Sequence, residues 1–250
     1  MEKELTHSNK TVNRLLASIL AAGLLFGGIN TVVASSDEAV AEEMTTLFRA
    51  ARAVISANQA NINDASKGDK GLSGDFVTAK AKENFHKATG HKLDDSTDAA
   101  KTMLAAIHST MNQAQPLINE KGKGFKGFLP AIFAKQVADT FTKKMNGNMR
   151  IKLTAPKKYV RNRANRPDKW ENSIINGKFM NASYENGKPF SEVAKHKGKD
   201  AYRYILPEYY KQSCLNCHGG PKGEKDITGG KKEGGKLGEL GGAISFTIYK

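Results

Sequence analysis

Arg150-Ile151-Lys152-Leu153-Thr154 alternates polar and apolar side chains, the two-residue period of a strand with one buried face. Ala201-Tyr202-Arg203-Tyr204-Ile205 has a similar texture, and Ala243 to Tyr249 is rich in residues that favour strands. Upstream of Arg150 the period is different. From Ala39 onward Val40, Met44, Leu47, Phe48, Ala51, Val54 and Ile55 recur at helical spacing. Ser66 to Asp75, rich in Gly, Lys and Asp, breaks that pattern. Phe76 to Ala88 reads as a short helix ended by Gly90, and Ser96 as the cap of another carrying Met103, Leu104, Ile107 and Met111. A fourth helix opens near Pro130 and runs through Ile132, Phe133, Val137 and Phe141 toward Gly147. Helices first and strands later predict an α+β fold with an antiparallel sheet.

The chain has 250 residues, 39 Lys+Arg against 25 Asp+Glu, and 39% hydrophobic residues. That is too apolar for a disordered chain, and two cysteines exclude a disulfide-rich scaffold. The first segment is read apart from the fold. Lys3, Lys10 and Arg14 precede an uncharged run, Leu15 to Val33, which ends in Val32-Val33-Ala34-Ser35 with small residues where a signal peptidase cleaves. Residues 1–34 are therefore expected to be a secretory signal and 35–250 a single domain, exported to the periplasm. An uncleaved membrane anchor is the competing reading, disfavoured by the glycine interruptions and the cleavage site. Removal leaves a charge of +13. Scattered lysines and export argue against nucleic acid and for an anionic partner: an acidic redox protein, anionic lipid or the propionates of a cofactor. A solvated basic surface kept for solubility is the plainer alternative.

Both cysteines fall in Ser213-Cys214-Leu215-Asn216-Cys217-His218. In an exported chain Cys-x-x-Cys-His is the attachment signature of a c-type haem. Two thiols one helical turn apart add to the two vinyl groups, and the adjacent imidazole reaches the iron as proximal ligand. Zinc would want four ligands, a redox dithiol a thioredoxin-like context, and a local disulfide is the simplest competing arrangement.

Three stretches carry a family resemblance: Phe128-Leu129-Pro130-Ala131-Ile132-Phe133; Arg161-Asn162-Arg163-Ala164-Asn165-Arg166-Pro167-Asp168-Lys169-Trp170-Glu171; and Tyr202-Arg203-Tyr204 with Pro207, the haem motif and Gly241-Gly242-Ala243-Ile244-Ser245-Phe246. In these the chain resembles the single-haem c-type periplasmic family with a PAS-like fold, a former domain of unknown function that also forms the sensory part of histidine kinases and chemoreceptors. The resemblance covers most of Phe128 to Tyr249; the N-terminal helices match only in general pattern. It implies a PAS-like antiparallel sheet with long N-terminal helices and one haem between them. Cys214 and Cys217 would hold that haem, with His218 on the iron. Arg161, Asn162, Arg163 and Asn165 offer donors suited to propionates, with Trp170 nearby; a plain turn and a core tryptophan are the competing reading.

Some relatives use a helical cysteine as second axial ligand, and this chain has no spare cysteine. Other members use methionine or leave the position to water. Candidates here are Met44, Met103, Met111, Met145, Met149, His86, His91, His108 and His196. A strong second ligand favours electron transfer, and an open iron favours a gas or redox sensor. No kinase or methyl-accepting region follows the Ala243–Tyr249 strand, so a sensor would signal through a separate partner, and electron transfer is preferred. A homodimer is an open alternative. No nucleophile elbow, zinc-protease helix or phosphate loop is present, so no enzyme is expected. Gly219-Gly220-Pro221 with Gly229-Gly230 and Gly234-Gly235 reads as a flexible loop over the haem edge.

Overall fold

A computed structural model describes residues 36–250, so the predicted signal segment 1–34 lies outside the described residues. The first helix, α1 (Ser36–Ala57), buries Ala41, Met44, Leu47, Phe48, Ala51, Val54 and Ile55 on one stripe, and Asp37 and Glu38 sit favourably in its first turn. A single turn, α2 (Gln59–Ile62), follows. In α3 (Gly74–Thr89) the Ser73 hydroxyl accepts the Phe76 N–H at the start, and Gly90 closes the end at φ 79°.

The next helix, α4 (Asp98–Ile118), is capped by Thr97, whose hydroxyl accepts the Ala100 N–H. The expected cap, Ser96, is instead drawn to the Asp94 carboxylate, which accepts both its N–H and its hydroxyl. A charged acceptor two residues back outcompetes the helix end for Ser96, so the helix starts one residue later. Pro130 opens α5 (Pro130–Lys144) at its first position, as expected.

Four strands form one antiparallel sheet in the order β1-β4-β3-β2: β1 (Met149–Thr154), β2 (Phe190–His196), β3 (Lys199–Tyr209) and β4 (Leu240–Tyr249). The α+β expectation is met. The pleat sends Ile151, Tyr202, Tyr204, Leu206, Ile244, Phe246 and Ile248 into a core shared with α1, α3, α4 and α5. The opposite face is split. At one end Ile205, Leu240 and Ala243 pack against Ile174, Ile175 and Phe179 of α6 (Lys169–Ile174) and its π-helical extension. The rest of that face is polar. Arg203, 2% exposed, lies under Trp170 at 4.2 Å from its ring centroid and donates to Asp168 at 2.6 Å. The β2 strand was not read from the sequence, because Val193 and its neighbours are exposed at the sheet edge and lack an apolar alternation. Among the described residues no helix is long and apolar enough to cross a membrane.

Between β3 and β4 the chain forms a two-turn helix, α7 (Gln212–His218), and then a glycine- and lysine-rich loop. Both leave the sheet at the end where Tyr210 N–H donates to Glu239 O at 2.9 Å, so the sheet itself brings the two ends of this excursion together.

Candidate functional site

Cys214 and Cys217 lie three residues apart on α7, so both thiols project from one side of the helix, and His218 follows in the same turn. Both cysteines are half-buried and unjoined. Burial, with the negative charge of Asp226, pushes the Cys217 thiol above its ordinary range, so it stays protonated at neutral pH. The helix stops at Gly219, where an added β-carbon would come within 2.5 Å of the Leu215 carbonyl oxygen. Among the described residues no group of three or more His, Cys, Asp and Glu side chains is set to hold a metal ion, so the thiol pair has no further ligands to make a zinc site.

The His218 ring stacks on Tyr210, with centroids 5.4 Å apart and planes inclined by 20°. Its Nδ1 lies 3.0 Å from the Glu233 carboxylate. That partner places the ring proton on Nδ1 and leaves the Nε2 lone pair free, and no hydrogen bond is made to Nε2. Tyr210 is pinned in turn by glycines: a β-carbon at Gly235 or Gly241 would strike its ring. The Tyr210 hydroxyl is buried without a hydrogen-bond partner, and burial, then the negative charge of Glu233, pushes this phenol up.

Arg161 ties the loop to the helix. Its Nη2 donates to the Cys217 carbonyl at 2.6 Å, to the Lys231 carbonyl at 3.1 Å and to Glu233 at 2.9 Å. Its Nε and Nη1 take up Glu233 and Asp226. These hydrogen bonds, led by Glu233, raise the Arg161 pKa still further. Burial works against the ionised form of Asp226, yet the bonds from Thr228 and Arg161 hold its carboxyl down at about 2. Glu233 is also held below its ordinary range despite burial, by Arg161 and by His218. The loop expected to be flexible is therefore anchored, with Gly235 N–H on His218 O at 2.7 Å and Gly234 N–H on Gly219 O at 3.0 Å.

Of the predicted site residues, the structure brings Cys214, Cys217, His218 and Arg161 together. The rest of the arginine–asparagine segment goes elsewhere. The Asn162 side chain accepts the Ala164 N–H of its own turn, Arg163 is exposed, and the Asn165 carbonyl accepts the Thr154 hydroxyl on β1. Trp170 covers Arg203 on the far face of the sheet and donates to Glu192. Met44, Met103 and Met111 are fully buried in the helical core, and His108 faces Asp75 at 3.1 Å. The side of α7 toward α1 meets Ser56, whose hydroxyl is 3.4 Å from that of Ser213. Glu233 and Tyr210 were missed. Nothing in the local sequence marks a glutamate in a Gly-Lys loop fifteen residues beyond His218 as its partner.

The donor set fits a c-type haem on an observation of the chain itself: two unjoined thiols on one helical face, a histidine with Nδ1 engaged and Nε2 free, and a buried phenol lacking a partner beside them. An antiparallel sheet backed by helices and bearing such a helix defines a cytochrome-like domain. Residues 34–248 match the family model described as Tll0287-like (Tll0287), and the chain belongs to this family of cytochrome-c-like, PAS-like domains. No curated protein and no solved structure matches the chain.

Proposed function

We propose that this protein is an exported monohaem c-type cytochrome that passes single electrons. The observation that carries the reading is the His218 ring, presented with Nε2 free beside two thiols and with Nδ1 on a carboxylate. A haem bound there supplies reversible one-electron chemistry at its iron. The chain's own residues do the rest. Cys214 and Cys217 fix the group covalently, Tyr210 and Glu233 hold the imidazole in one orientation, and Arg161 keeps the loop closed over it. A formal charge of +13 after removal of residues 1–34 steers acidic redox partners toward such a protein. The second reading, a redox or gas sensor acting through a separate partner, is favoured by one observation: Met44, Met103 and Met111 are fully buried in the helical core.

The test is the absorption spectrum of the ferrous protein, matured in a haem-attaching periplasm, with and without CO. A low-spin c-type spectrum that CO leaves unchanged is expected for electron transfer. A CO-shifted spectrum would move the assignment to the sensor, and absence of a Soret band would sink both.

Glu233 sets the electron density on the imidazole. A carboxylate accepting from Nδ1–H makes the ring a stronger donor and favours the more oxidised metal. Glu233→Gln is expected to raise the midpoint potential by about 59 mV, a tenfold change in the ferric-to-ferrous ratio for one electron. Potentiometric titration reads it directly, and an unchanged potential would deny Glu233 this role.

A further inference from the structure

Where β1 forms the edge of the sheet, a cleft of about 460 Å³ opens between α5 and β1, and a second lobe of about 250 Å³ lies on the polar face beneath the start of α6, with Arg150, Lys152, Ala164 and Lys197 lining both. Arg166 lines the second. The register explains the convergence. Arg150 pairs with Thr247, which pairs with Arg203, while Lys152 pairs with Ser245, so cations and hydroxyls alternate in rows across one face.

The charge in the cleft is uneven in a specific way. Its three carboxylates are already neutralised: Asp139 is paired with Lys135, Asp168 receives Arg203 at 2.6 Å, and Glu171 receives Lys152 at 3.0 Å. Arg150, Arg166 and Lys197 have no acidic partner among the described residues. Ser245 and Thr247 are 2% and 3% exposed, both line the second lobe, and neither hydroxyl makes a hydrogen bond. Both hydroxyls are open to this lobe and free to donate to or accept from a ligand there. Lys197 adds a conformational signal. It holds φ at 53°, which side chains with a β-carbon rarely adopt, and this turn between β2 and β3 keeps it at the rim of the cleft. Burial, then the positive field of Arg203, with Arg150 and Lys197 adding to it and Asp168 opposing, holds the His196 imidazole in this lobe below its usual pKa.

We propose that this cleft is a binding site for a small, multiply charged oxyanion, a polycarboxylate or a phosphate compound, held by Arg150, Arg166 and Lys197 with the Ser245 and Thr247 hydroxyls. Lys135, Arg203 and Lys152 are the support, since they neutralise the carboxylates that would repel such a ligand. The site is separate from α7 and does not depend on what α7 holds.

Isothermal titration of the purified protein with citrate and with pyrophosphate, in low-salt buffer, tests it and separates the two ligand chemistries. One-to-one saturable binding of at least one probe is expected. Arg150→Gln should weaken it at least tenfold, and Thr247→Val several-fold, with unchanged unfolding midpoints because neither side chain is otherwise engaged. Lys92→Gln, an exposed site elsewhere, should leave binding unchanged. No saturable binding of either probe would overturn the proposal. So would binding that Arg150→Gln and Thr247→Val leave intact, or that Lys92→Gln weakens equally, since that is a general basic surface.

Discussion

Cys214→Ala/Cys217→Ala is expected to yield a folded chain with no covalently attached haem. Attachment and folding make different demands on these two residues. Attachment needs both sulfur atoms, because each thioether bond consumes one thiol, and these are the only two cysteines in the chain. Folding needs neither. Both thiols are half-buried on α7, outside the two apolar clusters that hold the sheet between its helices. Truncating a partly exposed cysteine to alanine removes little packed surface, so the loss of stability from the mutation itself should be within about 1 kcal/mol. The measurement is a haem stain of the denatured, acid-acetone-extracted protein, beside urea unfolding of the same sample. Single variants should retain colour through one remaining thioether. A double variant that still carries haem after extraction would end the proposed chemistry, and one that does not fold would place the cysteines in the core against their observed exposure.

The sequence was most informative where one physical demand acts on consecutive residues. Helical spacing from Val40 to Ile55 and alternation from Arg150 to Thr154 each require burial of one stripe, so α1 and β1 were legible from periodicity alone. The thiol pair and His218 were legible because attachment chemistry fixes their spacing along the chain. What escaped is set by contacts between distant segments. The partnership of Glu233 with His218 depends on a loop folding back over α7, and the clamp of Arg161 depends on residues 56 and 72 positions away. The arginine–asparagine segment illustrates the limit. Its donors look equivalent in sequence, but a three-residue turn capped by Asn162 sends Arg161 toward α7 and Asn165 toward β1. Trp170 follows Asn165, because the capping box of Asp168 and Glu171 starts α6 over the far face of the sheet. Ser96 yielded its cap to Thr97 for a similar reason, a local carboxylate that the pattern of apolar residues does not weigh.

Arg161→Gln is expected to release the loop between Gly219 and Glu239 without unfolding the domain. The guanidinium joins two carboxylates and two carbonyls that otherwise share no partner, and the Asp226 side chain is fully enclosed while that of Arg161 is 29% exposed. Removing it strands Asp226 as an uncompensated buried charge. Partial exposure of Arg161 moderates the cost to about 2 kcal/mol, the scale of charged hydrogen bonds. Opening of the loop should then become roughly 30-fold more frequent. Hydrogen exchange at the Gly229 and Lys232 amides, which donate to Asp226 and Glu224 carbonyls within the loop, reads this directly. The pH dependence supplies an independent check of cause. The Asp226 carboxyl is depressed from an ordinary 3.8 to about 2, so its contribution is fully present above about pH 4 and is lost as pH falls toward 2. Protection in the unaltered protein should therefore fall across that window. In Arg161→Gln the fall should be smaller, since only the Thr228 bonds still favour the ionised carboxyl. Protection factors indifferent to both the substitution and acid would mean that the backbone bonds of the loop, and not Arg161, hold it over His218.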